Sequence, residues 1–210
     1  LREECRSLHR RADVVLAIDT SSSMTGQKLG DAQAAALHFV EVMDLAAGRD
    51  QVAIVRFDDT AELSQALTQE RRLVEAAIRG LYSRPGTRID RGLARASEEL
   101  RSERRMAANQ PVIVILTYGR QTGDPQPVRD IAAEIRAAGV FIYTIGLGAE
   151  VDEALMVAVA GDAARYHHAP DSAELRAIYA DVARDILCPS EQFWPRDPAV
   201  ERRWSRRWRL

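Results

Sequence analysis

The chain is 210 residues long, enough for one large domain or two small ones, and its 46% hydrophobic and 29% charged content is that of a globular protein rather than a disordered one. A formal net charge of −2 argues against nucleic-acid binding by the domain as a whole. No apolar run reaches the roughly 18 residues that a membrane span needs, and a core of this size can stand without metal or disulfide staples.

Val14 to Ile18 is a short continuous apolar run ending in Asp19, the pattern of a strand buried on both faces. After a Ser/Gly-rich turn, Leu29, Ala32, Ala36, Val40 and Met43 recur at helical spacing, and Gly48 is expected to close that helix. Val52 to Phe57 reads as a second strand. Asp58-Asp59 then turns the chain into Ala61, Leu63 and Leu67, whose alternation suits an antiparallel edge strand. Leu73, Val74, Ala77, Ile78 and Leu81 predict a helix, broken by Ser83 to Gly86. Ile89, Leu93, Ala96 and Leu100 stripe the next one, with Thr87 as its expected N-cap and Asp90 as the capping-box partner. Val112 to Leu116 is another fully apolar strand, followed by Thr117-Tyr118-Gly119. Asp124-Pro125 opens a helix carrying Val128, Ile131, Ala132 and Ile135, which Gly139 ends. Val140 to Ile145 predicts a strand, Leu155 and Val159 a short helix, and Arg165 to His168 a last short strand. Asp171 and Glu174 then cap a helix with Leu175, Ile178, Tyr179, Val182 and Ile186.

Strands alternating with helices through short loops imply an α/β fold. The expected form is a doubly wound, mostly parallel six-stranded sheet with one antiparallel edge strand and helices on both faces. The expected organisation is a lead-in over 1–12, one domain over 13–188 and an Arg/Trp-rich tail over 189–210.

Cys5 and Cys188 flank nearly all of this periodic region. Neither belongs to a C-x-x-C pair and no histidine is suitably spaced, which argues against zinc. Joined as a disulfide, they would contribute roughly 4–5 kcal/mol in the chain-entropy model and would imply an extracytoplasmic or cell-surface location. Two reduced thiols in a cytoplasmic protein are the alternative. The chain opens at Leu1 without a signal-peptide pattern and is expected to be a fragment of a larger anchored protein.

Ligands of such folds bind at the carboxyl ends of the strands. There the first strand runs into Asp19-Thr20-Ser21-Ser22-Ser23, a carboxylate and hydroxyls at alternate positions of one tight turn, able to converge on one point. One carboxylate with neutral hydroxyls and waters is an oxygen set that suits Mg²⁺. Thr87, after a Pro-Gly turn, is placed to add a third hydroxyl.

This constellation resembles the metal-ion-dependent adhesion site of von Willebrand factor type A domains, the family that includes the integrin inserted domains. The resemblance covers Asp13 to about Leu187. Its Asp-x-Ser-x-Ser element falls on Asp19, Ser21 and Ser23, its Gly-Thr pair on Gly86-Thr87, and its third element, usually Thr-Asp-Gly, on Thr117-Tyr118-Gly119. By that resemblance Asp19, Ser21, Ser23 and Thr87 would hold Mg²⁺, Mn²⁺ or Ca²⁺, and an acidic side chain of a protein partner would complete the coordination. Tyr118 stands where the family has its second aspartate, and a neutral phenol supplies no charge at pH 7. The site is therefore read as degraded, with Asp58, Asp59 and Asp124 from neighbouring loops as compensating or rim carboxylates.

The resemblance implies an adhesion or scaffold module that recognises a protein at its strand-end face. The alternative within the family is an intracellular subunit working with an AAA+ ATPase in metal insertion or complex assembly. An enzyme is not expected. Gly146-Leu147-Gly148 begins like a dinucleotide fingerprint, but Val151 holds the third glycine's place. Walker and Gly-x-Ser-x-Gly motifs are absent, and Ser21 stands where an Asp-first phosphatase wants a second acid. His167-His168 reads as a rim pair. The tail, with six arginines between Arg196 and Leu210 and with Trp204 and Trp208 among them, suits contact with an anionic membrane surface over 190–210.

Overall fold

The computed structural model describes residues 11–187. Cys5 and Cys188, hence the expected disulfide, and the tail with its expected membrane contact lie outside the described residues. Strands β1 (Ala12–Asp19), β2 (Gln51–Phe57), β3 (Ala61–Thr68), β4 (Gln110–Thr117), β5 (Phe141–Leu147) and β6 (Tyr166–Ala169) form one six-stranded sheet in the order β3-β2-β1-β4-β5-β6. Every pairing is parallel except β2 with β3, so the antiparallel edge strand lies where the alternation predicts it. The helices are α1 (Gln27–Val42), α2 (Arg71–Arg79), α3 (Ile89–Leu100), α4 (Gln126–Ala137), α5 (Glu153–Ala160) and α6 (Leu175–Leu187).

Side chains alternate across a strand, and along β1 this decides which helices cover which face. Val14, Leu16 and Ile18 join a buried cluster with Phe39 of α1, Ile78 of α2 and Tyr179 of α6. Val15 and Ala17 point the other way, to Leu93 of α3, Ile135 of α4 and Val159 of α5. Both β1 and β2 are buried along their whole length, which is why their sequences read as apolar runs. Phe39 and Tyr179 meet edge to face with centroids 6.0 Å apart, locking α1 to α6.

The strand order reverses at β1, with β2 on one side and β4 on the other, so a crevice opens at the carboxyl ends of β1 and β4. Ile18 lies opposite Leu116 in that register, which brings the next residues, Asp19 and Thr117, together.

Local expectations fail at helix ends. Gly48 does not close α1, which stops at Val42; the chain turns extended at Met43 so that Met43 and Leu45 both reach the core. Thr87 is not the N-cap of α3 either. Arg88 occupies that position without a side-chain cap, because the Thr87 backbone is held by Thr122: Thr87 N–H donates to Thr122 Oγ1 (3.1 Å) and Thr122 N–H to Thr87 O (2.8 Å). The first helical amide, Ile89 N–H, donates instead to Gln121 Oε1 (2.7 Å). Asp90 accepts from Arg88 (2.9 and 2.7 Å) and from Gln121 Nε2 (2.8 Å).

At the opposite end of β1, buried Asp13 accepts from Met106 N–H and Asn109 Nδ2 (2.8 Å each), with Arg105 at 4.0 Å. Burial outweighs these donors, buried Asp50 adds like charge, and the carboxyl is pushed from 3.8 up to about 6. The unfolded chain loses this proton first, so between about pH 4 and pH 6 the folded state holds more protons and its stability falls as pH rises. The melting temperature of this chain minus that of Asp13→Asn should therefore fall across that window and level off above it. A difference independent of pH would remove Asp13 from the account.

Candidate functional site

The loop after β1 is shaped by its own carboxylate. Asp19 Oδ1 accepts from Ser21 N–H (2.8 Å), which turns the chain into a single 3-10 turn at Ser22–Met24. Asp19 Oδ2 accepts from Thr117 Oγ1 (2.7 Å) and Tyr118 N–H (3.3 Å), tying the end of β1 to the end of β4. Asp19 is fully buried, and desolvation raises its pKa against the pull of Thr117, Ser21 and Tyr118. Thr20 fastens the loop on its other side. Its N–H and Oγ1 donate to Phe57 O (2.8 and 3.1 Å), and its own carbonyl accepts from Arg84 N–H (2.8 Å).

Three hydroxyls gather in front of this carboxylate. Ser21 Oγ and Ser23 Oγ are 2.8 Å apart. A Cβ added at Gly119 would stand 3.4 Å from Thr87 Oγ1 and 3.8 Å from Ser23 Oγ, so both hydroxyls flank the bare Cα of Gly119. Both are ordinary van der Waals distances, so a methyl group at 119 would line the gap between the hydroxyls rather than clash with them. The structure thus brings Ser21 and Ser23, from the loop that Asp19 shapes after β1, close to Thr87 in the loop between α2 and α3 and to Gly119 after β4.

The three neighbouring carboxylates behave differently. Asp58 is buried with both oxygens engaged: Oδ1 accepts from Thr60 N–H (2.8 Å) and Thr60 Oγ1 (2.9 Å), and Oδ2 from Arg56 Nη1 (2.7 Å) and Thr20 Oγ1 (3.5 Å). Asp59 is exposed and backs onto Gly86, where an added Cβ would fall 2.6 Å from Asp59 Cβ. Asp124 is not the N-cap of α4, a position that Pro125 holds; it accepts from Gln126 N–H (2.9 Å) from one residue ahead of the cap. Among the described residues no group of three or more His, Cys, Asp or Glu could hold a metal; the oxygens gathered here are mainly hydroxyls.

Tyr118 is half-buried. Its ring edge rests on Gly148, whose added Cβ would fall 2.7 Å from Tyr118 Cε2. Over the ring stands Lys28 Nζ, 3.3 Å from the centroid, which also donates to Ser23 O (3.4 Å). Sequence reasoning missed Lys28. The available signal was the chain's only lysine, in the first turn of the helix that follows the Ser-rich loop. His168 is on the rim, with its Nε2 3.1 Å from Gly148 O, whereas His167 turns a buried Nε2 inward.

The family model for the von Willebrand factor type A domain matches residues 13–181. Human inter-alpha-trypsin inhibitor heavy chain H4 is 27% identical over 192 residues, covering 83% of this chain and 20% of that protein. Mouse matrilin-2 is 27% identical over 176 residues, covering 80% of this chain and 18% of that protein. The chain thus spans about a fifth of the length of these relatives. Among solved structures, proximal thread matrix protein 1 from the mussel byssus, with a zinc-occupied MIDAS motif, matches with a TM-score of 0.74 at 22% identity, covering 84% of this chain and 46% of that chain. The vWF domain of the type V pili tip protein Mfa5 from Porphyromonas gingivalis matches with a TM-score of 0.72 at 18% identity, covering 88% and 98%. At these identities the structural likeness concerns the fold.

Proposed function

Because this chain belongs to the von Willebrand factor type A domain family, we propose that it is a non-enzymatic protein-binding module of the adhesion or matrix kind, whose strand-end face receives an acidic side chain of a partner. The observation that carries this reading is that the Ser23 and Thr87 hydroxyls both approach Gly119, with Ser21 Oγ against Ser23 Oγ, in the loop that buried Asp19 shapes. Matrilin-2 and a collagen alpha-6(VI) chain among the relatives support a matrix setting, and with it an extracellular location and a disulfide between Cys5 and Cys188.

The donor set fits a hard divalent cation in kind, since all its atoms are oxygens. Asp19, Ser21, Ser23 and Thr87 would hold Mg²⁺, Mn²⁺ or Ca²⁺, with Asp19 also shaping the loop through Ser21 N–H. A bound ion would supply positive charge and an open coordination position for the partner's carboxylate. The charge is thin, because Tyr118 replaces the family's second aspartate and Asp58 is committed to Arg56 and Thr60. Affinity for Mg²⁺ should be weak, roughly millimolar.

Calorimetric titration of the chain and of Ser23→Ala with Mg²⁺ tests this part. Saturable heat that disappears in Ser23→Ala supports the hydroxyl site. Equal binding by both proteins would place the ion elsewhere.

A further inference from the structure

We propose that Lys28 is a fixed cation built into this site, able to bind a partner's carboxylate without any metal. Its role rests on the reading that the strand-end face takes an acidic group; it differs only in what supplies the positive charge.

Lys28 lies in the first turn of α1, where a cation opposes the helix dipole and no acidic residue offsets it. A lysine on a solvated helix face would swing away from that position. This one is held instead: its ammonium stands 3.3 Å from the centroid of Tyr118 and donates to the Ser23 carbonyl at 3.4 Å. The ring is itself fixed, since its edge sits against Gly148. Position 118, which the family gives to a carboxylate, here presents a π face to an ammonium ion, an attraction that needs no countercharge.

Among the described residues no carboxylate pairs with Lys28. Asp19, the nearest family carboxylate in sequence, is buried and hydrogen-bonded to Ser21, Thr117 and Tyr118. An ammonium has three N–H donors, and the Ser23 carbonyl takes one of them. Ser23 binds Lys28 through its carbonyl while its hydroxyl flanks Gly119, so cation and hydroxyl cradle share one residue. Arg120, the exposed residue after Gly119, adds a second cation with no ion-pair partner among the described residues. The arrangement matches a carboxylate: one oxygen toward Lys28, the other toward the hydroxyls, with the lysine's freedom already reduced before binding. The same ammonium repels a dication, which accords with the thin charge of the metal site.

Because Lys28 is the only lysine, labelling the full chain with carbon-13 lysine reports on that side chain alone and leaves its charge and its three N–H donors intact. The Lys28 ε-methylene resonance should lie upfield under the Tyr118 ring and return to its ordinary position in Tyr118→Leu. In EDTA it should move saturably with N-acetyl-glutamate amide and stay still with N-acetyl-glutamine amide. Followed on the Gly119 amide, the affinity for the acidic compound should fall about tenfold in Lys28→Met, the loss expected for one hydrogen bond to a charged group. Matching melting temperatures would show that this variant is folded. A resonance that is silent in EDTA but responds to the acidic compound once Mg²⁺ is added overturns the role of Lys28 and leaves the metal-bridged reading. Silence under both conditions overturns both readings.

Discussion

Tyr118→Asp should bind Mg²⁺ and Mn²⁺ about ten to a hundred times more tightly than the chain itself. Residue 118 follows directly on β4, and its N–H already donates to Asp19 Oδ2, so an aspartate there would start from the loop that carries Gly119. A second carboxylate about 5 Å from a dication is attracted by several kcal/mol at an effective dielectric constant near 20. Two effects reduce the gain. The new carboxylate must be desolvated, and Lys28, freed from the ring, competes for it. A net 1–3 kcal/mol is a reasonable remainder, of the order of one or two decades. Parallel calorimetric titrations would read it. Equal, measurable affinities would mean that Asp19 and the hydroxyls already suffice and that Tyr118 costs the site nothing.

Asp58→Ala should cost about 3–5 kcal/mol of stability. Arg56 is a guanidinium near the end of the buried strand β2, with its side chain 4% exposed, and Asp58 at 2% exposure is its buried partner. Glu62, the other partner, is 60% exposed and holds Arg56 only from the rim, while the Tyr82 ring lies 4.8 Å from the guanidinium. Removing Asp58 also opens the turn in which both Thr60 donors are satisfied. Asp59→Ala, one residue along, removes an exposed side chain and should change stability by less than about 0.5 kcal/mol. Urea unfolding of the two variants would separate them. A small loss for both would mean that Glu62 alone satisfies Arg56.

The Asp58 contrast also marks where the sequence stops being legible. A carboxylate pair after an apolar strand reads as part of a cation site, and Asp59 does remain at the surface. Asp58 is claimed by Arg56, a charge inside the otherwise apolar run Val52 to Phe57 that itself called for a buried partner. Asp19, Ser21 and Ser23 were legible because their spacing is local and the turn that converges them is made by Asp19 itself. Thr87 was legible as a hydroxyl and misread as a cap, since what frees it is Thr122, 35 residues away. Lys28 was marked in the sequence only by being the sole lysine. Its meaning depends on an aromatic ring at the end of β4, and no periodicity in the chain links the two. The strands fared better because burial on both faces leaves an unbroken apolar run, whereas helix ends such as that of α1 are set by what the core needs next.

Backbone amide shift mapping with N-acetyl-glutamate amide, in EDTA and then in Mg²⁺, tests whether the strand-end face is where an acidic group binds. Perturbations confined to the loops around Ser21–Ser23, Thr87, Tyr118–Gly119 and Gly148, together with the start of α1, are the predicted result. Perturbations centred between α3 and α4 at the opposite end of the sheet, or none under either condition, would contradict the assignment of this face as the binding site.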